Sequence, residues 1–348
     1  MVRIVHTADV HLTPSAPERL DALDAVLSIA EEYDADAVTI GGDLFDSDVA
    51  AEDMRPTLRE HFSGCPCPVY AIPGNHDRAA FAGDRYFGED FIPLLEDPYS
   101  QVTIDTLRVT AIPYTNRMSD ELLLALRDRT PHDGPEALLL HCSLEAPIHR
   151  DAGDEDTTRY CPVTKSTLAT LDFDFYLAGH YHSPNLLDIG VNQQFVYPGT
   201  PASTTWTETG SRTLAVLKTE SAATITLPEL ETFHYLDEEF SVRPGEEQAI
   251  LEELESFAAK AQPNHVKARA EVTGLINWDE ATFANELTSI EDLVTVQNTT
   301  RTVETVTAHP LWTPITERLD SLDAETRDAV EYLILECMAS ADAEGKLR

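Results

Sequence analysis

Short carboxylate, amide and imidazole side chains recur in five tight clusters: Asp9-Val10-His11, Gly42-Asp43 with Asp46, Gly74-Asn75-His76-Asp77, His141, and Gly179-His180-Tyr181-His182. Oxygen and imidazole donors suit manganese, iron, zinc or cobalt, and the lack of clustered thiolates argues against a structural zinc site. A carboxylate shared by two ions about 3.5–4 Å apart is the arrangement that serves in-line attack on phosphorus. Taken singly, an Asp-x-His pair or one histidine is weak, because such residues more often serve loops and packed strands. The Gly-His-Tyr-His run says more, since Gly179 permits close backbone approach. The recurrence carries the inference: each cluster directly follows an apolar run, and loops at strand ends are where a rigid α/β scaffold gathers site residues.

The elements that must position these clusters can be read from hydrophobic periodicity. Strands are expected at 2–6, 37–40, 68–72, 137–140 and 175–178, each ending on a cluster, with shorter ones at 102–104 and 107–112. Helices are expected at 17–33, 54–62 and 120–129. Later strands at 195–197 and 213–218 are expected to close a second sheet. The strand, loop, helix repetition gives an α/β class, compatible with two facing mixed sheets flanked by helices or with one large sheet. The texture changes after about residue 225. Helices at 246–260 and 280–287 and strands at 266–272 and 293–297 form a small α+β unit, and a last helix spans 320–340. The expected domains are therefore 1–224, 225–315 and a C-terminal helical segment, 316–348.

The chain of 348 residues carries 62 acidic and 24 basic residues, a formal net charge of -38, with only five lysines. Such a chain repels itself and any polyanion in dilute salt. Near 1 M salt, however, the Debye length falls to about 3 Å. Carboxylates spread over the whole length, with apolar runs kept throughout, fit a surface adapted to the molar salt of an extreme halophile's cytoplasm, and not a disordered acidic tail. The acidity therefore does not exclude nucleic acid. Five unclustered cysteines fit a reducing, cytoplasmic compartment. The opening MVRIVHTADVHL has no basic n-region or apolar h-region, and no apolar run reaches the ~18 residues of a spanning helix, so neither export nor a membrane partner is expected.

The order DxH, GDxxD, GNHD, single His and GHxH resembles the calcineurin-like metallophosphoesterase superfamily. Within it, HTADVHL, GGDLFD, IPGNHD, LAGHYH and the later YPGT resemble the double-strand-break repair nuclease (SbcD-like) branch. The resemblance covers residues 1 to about 200 and implies a four-layer sandwich with a small α+β cap. It also implies two divalent metal ions, most often Mn2+. One is held by Asp9, His11, Asp43 and His182, the other by Asp43, Asn75, His141 and His180. Asp43 bridges, and a hydroxide between the ions attacks the phosphodiester in line. His76 falls on the catalytic histidine that protonates the leaving oxygen, and Asp46 matches the residue whose side chain supports it.

The same resemblance implies DNA as substrate, a homodimer through helices near the site, and an SMC-like ATPase partner. In that branch a cap over the cleft holds DNA, a role that falls on residues 225–315 here. Longer relatives continue into a helical hairpin on the ATPase coiled coil, where this chain offers one helix with an apolar stripe from Val330 to Met338. Two other functions compete with a repair nuclease: a phosphodiesterase for small nucleotides, and a DNA-binding scaffold. Among the remaining polar residues, His6 is expected as a packed strand residue. Asp77 is either the cap of a helix starting near residue 78 or a support for the ligands, and Tyr181 either lines the cleft or fills its turn. Arg78, Arg117, Arg150 and Arg159 are candidate phosphate contacts.

Overall fold

In chain order the first part contains β1 (Val2–Thr7), α1 (Pro17–Glu32), β2 (Ala37–Ile40), α2 (Asp48–His61), β3 (Val69–Ala71), β4 (Phe91–Pro93), β5 (Ser100–Ile104) and β6 (Leu107–Ala111). It continues with α3 (Asp120–Arg127), β7 (Glu136–His141), β8 (Ser143–Glu145), β9 (Pro162–Thr164), α4 (Lys165–Ala169), β10 (Phe175–Gly179), β11 (Asn185–Gly190) and β12 (Gln193–Tyr197). The last strands of this part are β13 (Arg212–Thr213), β14 (Ala215–Thr219), β15 (Thr224–Thr226) and β16 (Glu229–Leu230). This computed structural model describes residues 1–83, 85–145, 160–219, 223–261, 265–291, 293–319 and 322–343.

Two six-stranded sheets form, in the orders β15-β14-β1-β2-β3-β4 and β11-β12-β10-β7-β6-β5. The period-two alternation of side chains along each strand divides the apolar residues among three cores. Val2 and Ile4 of β1, Ala137 and Leu139 of β7, and Phe175 and Leu177 of β10 share one cluster between the sheets. Val5, Val38, Ile40, Val69 and Ala71 face the other way, onto Leu23, Val26, Met54 and Leu58 of α1 and α2. Leu138, Leu140, Tyr176 and Ala178 similarly cover Leu122, Leu126 and Leu168 of α3 and α4. The result is helices, sheet, sheet, helices: the four-layer sandwich.

β1, β2 and β3 run parallel, with Val5 opposite Val38 and Val38 opposite Val69. β6, β7 and β10 are parallel as well, with Leu139 opposite Ala111 and Leu177. Parallel central strands put their C-terminal ends on one rim, and the clusters follow those ends.

Some local expectations are corrected. The strand near 213–218 does not close the second sheet; β14 pairs antiparallel with β1, Val5 opposite Val216, and returns the chain to the first sheet. α2 begins at Asp48, earlier than the expected residue 54, because Ser47 caps it by accepting a hydrogen bond from Ala50 N at 3.1 Å. Pro56 lies inside this helix and does not mark its start.

The chain divides into two compact units, Met1–His234 and Tyr235–Arg348. The second unit contains β17 (His234–Val242), α5 (Glu247–Lys260), β18 (Val266–Ile276), α6 (Glu280–Glu291), β19 (Val294–Asn298), β20 (Arg301–Thr302), α7 (Val303–Thr307), α8 (Trp312–Thr316) and α9 (Ala324–Ala343). Its four-stranded sheet centres on β18, which is parallel to β19 with Ala270 opposite Val296. Phe240, Leu254, Phe257, Val272 and Phe283 fill its core. Met338 and Ala339 of α9 pack with Leu275 and Val306. Residues 320 and 321, at the expected start of this helix, lie outside the described residues. No helix among the described residues is long and apolar enough to cross a membrane.

Candidate metal centre

Loops after β1, β2, β3 and β10, together with the last residue of β7, bring the five clusters to one rim. The first two loops are laced by main-chain hydrogen bonds. Asp9 N donates to Gly42 O at 3.0 Å, His11 N to Asp43 O at 3.0 Å and Leu12 N to Leu44 O at 2.8 Å. Asp9, His11, Asp43 and His180 all have positive φ, at 55°, 51°, 50° and 111°. Each such non-glycine residue costs on the order of 1–3 kcal/mol, a strain that packed surroundings hold and that concentrates at functional sites. Two glycines make room for the ligands. A Cβ on Gly74 would lie 2.1 Å from Asp43 Oδ1, and one on Gly42, whose φ is +102°, would lie 2.4 Å from His141 Nδ1.

The donor atoms converge. Asp9, His11 and His182 form one group and Asp9, Asp43 and His141 a second, each compact enough to hold a metal ion. The carboxylate common to both groups is Asp9. One oxygen of Asp43 accepts the His76 amide at 2.8 Å, and the other lies 3.3 Å from His141 Nε2. His180 N donates to Asp9 Oδ1 and Oδ2 at 3.0 and 2.9 Å. His141 donates through Nδ1 to Gly41 O at 2.9 Å, which leaves Nε2 facing Asn75 Oδ1 at 2.9 Å.

These contacts fit cations better than protons. His182 Nδ1 donates to Glu208 Oε1 at 2.8 Å, so its Nε2 lone pair faces His11 Nε2 at 3.2 Å. Two imidazole nitrogens each about 2.0–2.1 Å from one ion stand roughly 3 Å apart. His180 Nε2 is buried with no hydrogen-bond partner, as a ligand nitrogen would be. Electrostatics agree with the geometry. Burial pushes Asp9 up to about 6 and His180 down to about 3. At His141 burial opposes the charge, but the Asp43 carboxylate prevails and raises it to about 9. Asp43 is driven up by burial yet held well below the usual carboxylate range by His141. A positive charge is wanted between these groups, and two divalent ions would supply it.

Residues 2–184 match the calcineurin-like phosphoesterase family. This chain belongs to that family. The phosphoesterase is 27% identical over 271 residues to the DNA double-strand break repair protein Mre11 of Halobacterium salinarum, covering 73% of this chain and 66% of that protein. It is 27% identical over 216 residues to the protein of the same name from Haloferax volcanii, covering 54% and 43%. The chain thus spans less than two thirds of the length of these curated relatives. A dimetal phosphatase from Danio rerio matches with a TM-score of 0.44 and 12% identity, over 66% of this chain and 96% of that one.

Of the expected site residues, His11, Asp43, Asp46, Asn75, His76, His180 and His182 line one cavity, together with Arg19, Thr204, Thr205 and Glu208. Asp9 and His141 are buried beside them. The expected side-chain support of His76 is corrected: its Nδ1 donates to the main-chain carbonyl of Asp46 at 3.2 Å, and the Asp46 carboxylate lies 3.3 Å from Arg19 Nη1. The guanidinium is the stronger partner for a charged oxygen, so the carboxylate goes there. Asp77 caps no helix, since residues 78–80 form a turn. Its buried carboxylate accepts Gly74 N at 2.7 Å and Phe45 N at 3.1 Å, clamping the loops that carry Asn75 and Asp43.

His6 is a packed strand residue, with Thr39 Oγ1 3.0 Å from Nδ1 and Ala178 O 3.2 Å from Nε2. Tyr181 fills its turn, its ring 4.9 Å from that of Tyr197. Arg78 lies over Tyr114, whose ring is 5.8 Å from His141. Arg117 lines a different cavity, and Arg150 and Arg159 lie outside the described residues. Sequence reasoning missed Arg19 and Glu208. Arg19 sits in the unremarkable polar start of α1, while Glu208 had one signal, a lone acid in the threonine run that follows Tyr197-Pro198-Gly199-Thr200.

Proposed function

We propose that this phosphoesterase is a manganese-dependent DNA nuclease of the double-strand-break repair type, working in the cytoplasm of an extreme halophile. The observation that carries the reading is the shape of the metal cavity. At about 230 Å³ it is smaller than the roughly 300–1,000 Å³ of pockets that enclose a small molecule. Among the described residues, histidines, acids, threonines, one asparagine and one arginine line it, and none of these is an apolar side chain for a nucleoside. In this reading a phosphate sits inside and both ester substituents run outward, as a polymer requires. The two repair proteins from halophilic archaea support the same choice.

In this reading one ion would be held by Asp9, His11, Asp43 and His182, and the other by Asn75, His141 and His180, again with Asp43. When bound, two divalent ions supply Lewis-acid charge for the nonbridging oxygens and an activated water for in-line attack. The chain's own groups do the rest. Asp77 and the His76 amide fix the ligand loops. His76, held through Nδ1 by the Asp46 carbonyl, keeps Nε2 for the proton that the leaving oxygen needs. The second unit serves as the cap that holds DNA. Partners are a second copy of the chain and an SMC-like ATPase that meets the apolar groove of α8 and α9, lined by Leu311, Ile315, Leu333 and Cys337.

The test is a parallel assay of linear duplex, single-stranded and circular DNA and bis-p-nitrophenyl phosphate, with manganese in molar potassium chloride. Degradation of linear DNA is the expected result. Turnover of the small diester with all DNA left intact would sink the nuclease reading, and a monomer in the same buffer would remove the dimer.

A further inference from the structure

Among the described residues that line the metal cavity, Arg19 is the one permanently charged cation. Its Nη1 donates to His11 O at 2.6 Å and to Asp46 Oδ1 at 3.3 Å. Its Nε is buried without an acceptor. Arg19 also stands in the first turn of α1, where the helix macrodipole disfavours positive charge. A buried unpaired N–H and an adverse helix position both work against stability, and such local violations are expected where function demands them. In a chain with 24 basic and 62 acidic residues, this guanidinium is conspicuously placed. Among the described residues that line the cavity, every other charged group is a carboxylate or an imidazole.

We propose that Arg19 is a phosphate-binding residue: Nη1 anchors it to the loops carrying His11 and Asp46, and the remaining edge of the guanidinium takes a nonbridging oxygen of the substrate phosphate. Guanidinium geometry suits that task, because its donors form a planar fork matched to phosphate oxygens. The anchor has a second effect. The Asp46 carbonyl holds His76 Nδ1, so one arginine sets the distance between the bound phosphate and the proton donor. This inference rests on the phosphoesterase reading but not on DNA as the substrate.

The experiment uses Arg19→Gln and Arg19→Lys in the full chain, with inorganic phosphate as probe. Calorimetric titration of phosphate into manganese-loaded protein in molar potassium chloride is expected to show the dissociation constant rising about tenfold or more in Arg19→Gln, the effect of one lost charge-assisted hydrogen bond. A smaller rise is expected in Arg19→Lys, which keeps the charge but loses the fork. KM for bis-p-nitrophenyl phosphate should rise in parallel, while manganese titration of the metal-free variants still gives two ions at wild-type affinity. Wild-type phosphate affinity in both variants, or loss of an ion in Arg19→Lys, would overturn the proposal and leave Arg19 a structural strut. A wild-type protein that hydrolyses the small diester but not DNA would defeat the nuclease reading and leave this inference standing.

Discussion

Glu208 accepts the Nδ1 proton of His182 at 2.8 Å and thereby aims the Nε2 lone pair into the metal cavity. The carboxylate is 4% exposed and also accepts Thr204 N at 2.8 Å and Thr200 Oγ1 at 2.9 Å. Burial alone would raise it, but the hydrogen bonds from His182 and Thr204 help bring it down to about 2. Carboxylates that orient metal-binding histidines contribute about 10–100-fold in metal affinity. Glu208→Gln should therefore weaken manganese binding by about that factor with little change in far-ultraviolet circular dichroism. Calorimetry on the metal-free protein decides, and wild-type affinity would remove Glu208 from the site.

Gly74 bears on the metal centre through Asp43. A Cβ there would lie 2.1 Å from Asp43 Oδ1 and 2.5 Å from Asp43 N, so the carboxylate or its loop must move. Gly74→Ala is expected to lose metal ions while the sheets persist. Elemental analysis of the purified variant checks this, and two tightly bound ions would contradict the placement of Asp43 against the loop that carries Asn75.

What the sequence made legible follows from range. The strands at 2–7, 37–40 and 136–141 are almost wholly buried and each carries adjacent aliphatic residues, such as Ile4-Val5, Ala37-Val38 and Ala137 to Leu140, which a reading of periodicity detects. The ligands at their ends show through because each loop is short and its residue types are distinctive. β11 (Asn185–Gly190) alternates only between half-buried and exposed, so its pairing with β12 leaves little trace in the sequence. β14 joining β1 depends on a register between residues about two hundred positions apart. Arg19 is silent, and Glu208 nearly so, for the same reason: each acts through a contact with a different loop, to Asp46 or to His182. Asp46 shows the converse error, a correct residue whose main chain, and not its carboxylate, meets His76.

That distinction separates two variants. His76→Ala removes the proposed proton donor and should lower kcat by about 10²–10⁴-fold, the usual span for a general acid. It should leave manganese stoichiometry intact, because the His76 amide that contacts Asp43 is main chain. Asp46→Asn keeps the carbonyl that orients His76 and should cost far less. Steady-state rates on linear DNA, whose alkoxide leaving group needs the proton, test both, and equal losses in the two variants would return the supporting role to the Asp46 carboxylate.

His6 gives the fold a pH dependence that is independent of the metal ligands. It is fully buried, with Nδ1 3.0 Å from Thr39 Oγ1 and Nε2 3.2 Å from Ala178 O. Both groups can be satisfied by the neutral ring, with Nε2–H donating to the carbonyl and the hydroxyl donating to Nδ1. Burial therefore lowers its pKa from 6.5 to about 4. The sign follows from proton counting: between these values the unfolded chain binds a proton that the folded chain refuses, so stability rises with pH across that window. It is fully present above about 6.5 and lost progressively as pH falls to about 4, by at most about 3 kcal/mol for this one group. Guanidinium unfolding of the metal-free protein at pH 7 and pH 4.5 measures the whole change. His6→Gln keeps an amide donor for Ala178 O and cannot titrate, so its stability should vary less between the two pH values than the wild type's. An identical pH dependence in the variant would show that His6 is not the group responsible.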